Sequence, residues 1–181
     1  MHDPLLNSIL IEKVDTDAVE KFINSFYTNK GTGPFSIPPK MMNLICESIA
    51  KPISKIANLS FLSGVHPEKM KVAKVVPIYK SESKMQTSNY RPTSLLSNLN
   101  KIFEKLMFVR VLSFLDKENV IYKQQFGFRP EHSATHAIIS ITEKIIEALD
   151  KGKFACGVFV DLQKAFNTVN HEVILQKLYR Y

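Results

Sequence analysis

The sequence predicts a helix-rich α+β protein with an incomplete sheet. Three observations lead there. Apolar residues recur at helical spacing along most of the 181-residue chain. Two short runs, 72–79 and 154–160, are instead β-branched or continuously apolar, the marks of strands. The last helical pattern reaches Tyr181 with no cap and no following strand, so the second run lacks the neighbours a sheet needs. Either the amino-terminal segments supply those neighbours or part of the domain is missing, and the second is the expectation.

Residues 15–29 (DTDAVEKFINSFYTN) carry Val19, Phe22, Ile23 and Phe26 at helical spacing, after an Asp suited to N-capping. Gly31-Thr32-Gly33-Pro34 breaks the chain, and Pro38-Pro39 opens the next segment. From Lys40 to Leu62 the pattern is helical, with a kink or break expected near Pro52. Ser63-Gly64 ends it and His66-Pro67 turns. Val72 to Tyr79 reads as a strand and residues 80–90 as a polar loop. Beyond Arg91-Pro92, Ile102, Leu106, Val109, Leu112 and Leu115 mark one face of a helix over roughly 98–116. Gln124 to Pro130 is irregular. His132 to Asp150 is an amphipathic helix with Ile138, Ile141, Ile145, Ile146 and Leu149 inward, and Gly152 suits a cap past its end. Phe154 to Val160 reads as a strand buried on both faces that ends at Asp161, and 163–179 as helix.

Composition narrows the classes. Apolar residues make up 45% and charged residues 23%, which excludes collagen-like, low-complexity and wholly disordered chains. Lys and Arg total 24 against 17 Asp and Glu, a net charge of +7 that fits a polyanionic partner or simply solubility. Cys46 and Cys156 stand far apart, with no metal-knuckle spacing, and fit a reducing compartment. No stretch has the length of apolar residues that a membrane span needs, and MHDPLLNSILIEKVD is not a secretory signal. The expectation is an intracellular chain, nuclear or cytoplasmic, with no membrane partner.

Asp161 is the first candidate for chemistry. An apolar strand running into it would hold a carboxylate at the strand's C-terminal end, a rigid perch for a hard cation such as Mg²⁺. Taken alone, the residue reads first as the N-cap of a helix beginning near Leu162. Phe166, five residues on, packs beside whatever Asp161 holds or is a plain core aromatic. Gln125-Phe126-Gly127-Phe128-Arg129-Pro130 combines backbone freedom at Gly127 with a guanidinium suited to phosphate, or is an ordinary turn. Lys80 and Arg91, joined by strand, loop and return, would put two cations at one site, or are solvated separately. His132 and His136 are four apart without a third ligand, so a helix-face or capping role suits them better than metal. GxxxxGK[ST], HExxH and GxSxG are all absent, which argues against nucleotide hydrolases, zincins and α/β-hydrolases.

In order along the chain stand VAKVVPIYK (72–80), SNYRPTSLLSNLNKIFEKLM (88–107), QQFGFRPEHSATHAI (124–138) and FACGVFVDLQKAFNTVNHEVILQKL (154–178). This series closely resembles the reverse transcriptase of jockey-type non-LTR retrotransposons, and GTGPFSIPPKMM (31–42) is similar to the segment just upstream in that family. The resemblance implies a partial right-hand polymerase. Residues 1–71 would be a helical extension, 72–153 the fingers, and 154–181 the start of the palm. It implies RNA-directed DNA polymerase activity, with two Mg²⁺ ions serving nucleotidyl transfer on an RNA template, a DNA primer and dNTPs. Asp161 matches the first catalytic aspartate and Mg²⁺ ligand, with the backbone of Leu162 beside it. Phe166 matches the aromatic that blocks a ribose 2′-hydroxyl. Lys80 and Arg91 match finger cations for the triphosphate, and Gln125, Gly127 and Arg129 match a block near template and nucleotide.

The chain departs from the family pattern at three places. Asn167 and Asn170 stand where carboxylates are common, and Pro34-Phe35-Ser36 replaces a Pro-Asp-Gly turn. Tyr181 lies only twenty residues past Asp161, before the block that carries the family's remaining catalytic aspartates. The expectation is a fragment inactive by itself. The alternatives are a non-catalytic module that binds RNA or template–primer, and a retrotransposon relic without function. Oligomeric state is unreadable from the sequence.

Overall fold

The computed structural model describes residues 11–26, 33–34, 37–162, 165 and 168–179. Its elements run α1 (Thr16–Asn24), α2 (Pro39–Leu44), α3 (Cys46–Ser63), β1 (Lys74–Tyr79), β2 (Tyr90–Leu95), α4 (Asn98–Lys117), α5 (Ala134–Asp150) and α6 (His171–Leu178). The chain divides into two compact units, one within Leu10–Phe114 and one carrying Leu115–Tyr181.

The first unit holds the core. Asp15 caps α1 as expected, its carboxylate accepting from the Ala18 amide at 2.7 Å, and Val19 and Ile23 are fully buried. On α3, Cys46, Ala50, Ile53 and Ala57 form a buried stripe at alternating intervals of four and three residues, whose small side chains let α1 come close. Met42 of α2 and Ile102, Phe103 and Leu106 of α4 complete the cluster. Phe103 meets the rings of Phe61 and His66 edge-on, at centroid distances of 6.3 and 5.9 Å. Two polar side chains tie irregular backbone to this core. The Asn58 amide donates to the Val14 carbonyl (2.8 Å) and accepts from its N–H (2.7 Å), as a neighbouring strand would. Arg110 donates to the carbonyls of Glu12, Lys13 and Leu106.

The helical break expected at Pro52 falls instead at Ile45, between α2 and α3, where φ −107° and ψ 16° leave the helix. Pro52 sits inside α3 at an exposed position, and Ser48, whose carbonyl would have accepted the missing N–H, is an exposed residue too. Gly64 ends α3 at φ 69°, as its position predicted.

β1 and β2 form an antiparallel ribbon with Tyr79 opposite Tyr90, Ile78 opposite Arg91 and Pro77 opposite Pro92. The Lys80 amide donates to the Asn89 carbonyl at 2.9 Å, which makes 80/89 a hydrogen-bonded pair and, by alternation, 77/92 a non-bonded one. Both prolines therefore point their missing N–H outward, and the ladder loses nothing.

The second unit departs from expectation. Phe154 to Val160 forms no strand, and its large side chains are 80–101% exposed. The amino-terminal segments that would have flanked it are helical, so it meets no pairing partner among the described residues. The α5 face carrying Ile138, Ile141, Ile145, Ile146 and Leu149 is likewise exposed rather than inward, because no described element covers it. The C-terminal end of α5 follows the sequence, with Gly152 at φ 65°, while its start lies at Ala134 and not His132, because the Ser133 hydroxyl caps it. The final described helix begins at His171, where Asn170 caps it, accepting from the amides of Glu172 (2.9 Å) and Val173 (3.3 Å); residues 163–164 of the expected helix lie outside the described residues. No helix of the described residues is long and apolar enough to cross a membrane.

Candidate functional site

The ribbon brings two of the expected residues together. Side chains alternate between the faces of a strand, so Lys80 shares the face of Ile78, and Arg91 shares it as the cross-strand partner of Ile78. The two cations are thus diagonal neighbours, within reach of one polyanionic group. Both are exposed, and neither side chain has an ion-pair or hydrogen-bond partner among the described residues. Lys74 lies on the same face.

The opposite face holds the loop in shape. The Tyr79 and Tyr90 rings lie 5.6 Å apart, and the Tyr79 hydroxyl donates to the Glu82 carbonyl. The Tyr90 hydroxyl donates to the Lys84 carbonyl at 2.9 Å, and the Asn89 amide to the Ser83 carbonyl at 2.9 Å. The Lys84 ammonium stands 5.6 Å from the centre of the Tyr79 ring. The segment between the two cations is therefore fastened, although its polar composition reads as free loop.

In the second unit, Gln125, Gly127 and Arg129 share one irregular turn. The Gln125 amide donates to the Gly127 carbonyl at 3.3 Å, and the Arg129 guanidinium lies 3.9 Å from the Asp116 carboxylate. The backbone freedom expected at Gly127 is found beside it: Phe128 and Glu131 take left-handed φ values of 58° and 60°, and Gly127 does not. Asp161 is exposed, and Leu162 after it is not helical, so the described helix that Asp161 was expected to cap is capped by Asn170 instead. Phe166, Asn167 and the Phe35-Ser36 part of the upstream turn lie outside the described residues.

An Asp161 carboxylate and a Leu162 carbonyl are hard oxygen donors of the kind Mg²⁺ takes. Among the described residues there is no group of three His, Cys, Asp or Glu side chains able to hold a metal ion, so Asp161 would be one ligand and not a complete set. The rings of His132 and His136 lie 6.5 Å apart, and His132 hydrogen-bonds the Pro130 carbonyl.

Two features gave no signal in the sequence. A cleft of about 780 Å³ opens beside Phe103 between the end of α3 and α4, walled by Phe61, Met107 and Phe108. On its polar side His66 Nε2 pairs with Asn100 Oδ1 at 2.7 Å, and the Asn100 amide donates to Glu104 at 3.2 Å. Gly33 lies against the end of β2, where an added Cβ would stand 2.5 Å from the Leu96 carbonyl carbon. Asn98 donates to the Ile37 carbonyl nearby, at 2.8 Å.

A family model described as reverse transcriptase (RNA-dependent DNA polymerase) matches residues 78–181. The chain is 29% identical over 181 residues to an RNA-directed DNA polymerase from mobile element jockey of Drosophila melanogaster, covering 99% of this chain and 20% of that relative. It is 27% identical over 187 residues to a probable RNA-directed DNA polymerase from transposon BS of the same organism, again 20% of the relative's length. A probable RNA-directed DNA polymerase from transposon X-element, also of that fly, is 31% identical over 106 residues, or 58% of this chain and 12% of the relative. The chain thus spans about a fifth of the length of the first two relatives.

Proposed function

The chain belongs to the reverse transcriptase (RNA-dependent DNA polymerase) family, and from that premise we propose that it carries the fingers and the opening of the palm of an RNA-directed DNA polymerase of the non-LTR retrotransposon kind. Residues 1–71 are then a helical extension, 72–153 the fingers and 154–181 the start of the palm. The observation that carries this reading is the placement of Lys80 and Arg91 on one face of a fastened ribbon, unpaired and side by side. Two cations so placed match the charge of a nucleoside triphosphate, with the planar guanidinium suited to bidentate contact and the ammonium to point charge.

In this reading Lys80 and Arg91 hold the incoming dNTP, and Gln125, Gly127 and Arg129 face template and nucleotide. Phe166 excludes a ribose 2′-hydroxyl. Asp161, with the Leu162 carbonyl, contributes oxygen ligands to Mg²⁺. Bound Mg²⁺ supplies charge stabilisation to the attacking 3′-hydroxyl and the leaving pyrophosphate. RNA template and DNA primer are the proposed partners. Because Asp161 has no companion ligands among the described residues, a polypeptide of these 181 residues binds nucleotide without extending a primer.

The test is titration with a fluorescent dNTP, followed by primer extension on RNA. Lys80→Ala and Arg91→Ala should each weaken dNTP binding roughly tenfold or more, the worth of one charge-assisted contact. Extension should not exceed that of an Asp161→Ala control. Binding indifferent to both ribbon variants would refute the nucleotide site, and extension above the control would refute the inactivity of this polypeptide. The net charge of +7 beside a lone Asp161 favours one second reading, a non-catalytic nucleic-acid-binding module. RNA affinity that falls steeply with salt, with no dNTP binding, would select it.

A further inference from the structure

Each cation of the ribbon follows a tyrosine: Tyr79 precedes Lys80 and Tyr90 precedes Arg91. Alternation sends the tyrosines to the face behind the cations, where the two rings meet as the last rung of the ladder. Both hydroxyls reach from that face to the connecting loop, Tyr79 to the Glu82 carbonyl and Tyr90 to the Lys84 carbonyl at 2.9 Å. The Asn89 amide holds the Ser83 carbonyl between them at 2.9 Å. Three successive loop carbonyls are thus held by three different side chains. Glu82 takes a left-handed φ of 71°, which a residue other than glycine keeps only where its surroundings fix it.

A loop fixed in this way sets the spacing of Lys80 and Arg91, whose main chains it joins. A ligand bridged by two cations is sensitive to that spacing, because its affinity falls with the fraction of molecules that hold both groups in place at once. We propose that Tyr79 and Tyr90 are positioning residues, whose hydroxyls fasten the loop and so hold Lys80 and Arg91 at the separation a nucleoside triphosphate spans. The proposal rests on the reading of those two cations as a nucleotide site, and adds to it residues that touch no nucleotide. Every group involved belongs to one hairpin, residues 74–95, whose two strands pair with each other.

Tyr79→Phe and Tyr90→Phe each delete one hydroxyl, keep both rings and leave every charge in place. In titrations of the 181-residue chain with a fluorescent dNTP, each should weaken binding roughly three- to tenfold, the worth of one hydrogen bond. The same substitutions made in a Lys80→Ala background, titrated at higher nucleotide concentrations, should change affinity by less than about twofold. One cation remains there, and no spacing is left to set. The urea midpoint should match the wild type, since the buried cluster lies on the helices and not on the ribbon. Undiminished affinity in both tyrosine variants, while Lys80→Ala and Arg91→Ala weaken binding, would overturn the positioning role and leave the nucleotide site standing. An equal loss in both backgrounds, or a loss that tracks a lowered midpoint, would overturn it too, because the hydroxyls would then act outside the cation pair. Binding indifferent to Lys80→Ala and Arg91→Ala would overturn the nucleotide site itself, and this proposal with it.

Discussion

Two phenylalanine-to-alanine substitutions separate the packed unit from the uncovered run. Phe103 is 2% exposed and meets Phe61 and His66 edge-on, so Phe103→Ala removes a buried ring, its aromatic contacts and the packing around it. Buried Phe-to-Ala changes cost about 3–5 kcal/mol, and the cleft beside Phe103, already open, offers little collapse to soften the loss. Phe154 is 101% exposed, so Phe154→Ala removes no burial and should stay within about 0.5 kcal/mol. The assay is urea unfolding followed by far-UV circular dichroism at protein concentrations low enough to keep the chain monomeric. Phe103→Ala should lower the midpoint sharply at unchanged slope, and Phe154→Ala should overlay the wild type. A loss above about 1 kcal/mol for Phe154→Ala would refute the reasoning, because it would mean that the run is covered in the folded chain.

Three further substitutions and one chemical probe test individual contacts. Gly33→Ala should destabilise by about 1–3 kcal/mol in the same unfolding assay, since its Cβ meets the Leu96 backbone, which cannot swing aside. Asn58→Ala should cost about 2–4 kcal/mol by leaving the N–H and C=O of buried Val14 unpaired, and a near-neutral result would show that water replaces the amide. Asn170→Asp should leave helicity and the unfolding midpoint unchanged, because either side chain caps α6. Burial, aided by the Glu20 and Glu47 carboxylates, pushes the Cys46 thiol up from its ordinary value. The stability gained by keeping that thiol neutral is present below the ordinary thiol value and is lost as pH rises through the raised one. At mildly alkaline pH iodoacetamide should therefore modify exposed Cys156 first and Cys46 only on unfolding, as read by mass spectrometry.

Local chemistry was legible where one residue decides the geometry. Asp15, Gly64 and Gly152 announced helix ends because capping and left-handed backbone are set by single residues. The break at Ile45 was not legible, because Pro52 is the stronger local signal, yet α3 carries that proline at an exposed position without ending there. β2 reads poorly as a strand, since YRPTSL carries a proline whose tolerance depends on pairing parity with β1. For the run 154–160 the residue types indicate a strand, yet pairing needs a partner, which no local pattern supplies. The candidate site follows the same division. Lys80 and Arg91 were visible as a strand and its return, while their shared face and the tyrosine clasp behind them came only from the register.

That clasp bears on how the gene can change. Polar surface connections usually gain and lose residues freely. Here Glu82, Ser83 and Lys84 are each held through their main-chain oxygen by a side chain from the far end of the hairpin or its stem. A codon inserted or deleted between 82 and 89 would unfasten at least one of those holds and shift Lys80 against Arg91. Among sequences related to this chain, length should drift in the turns around 118–131 long before it drifts in this one.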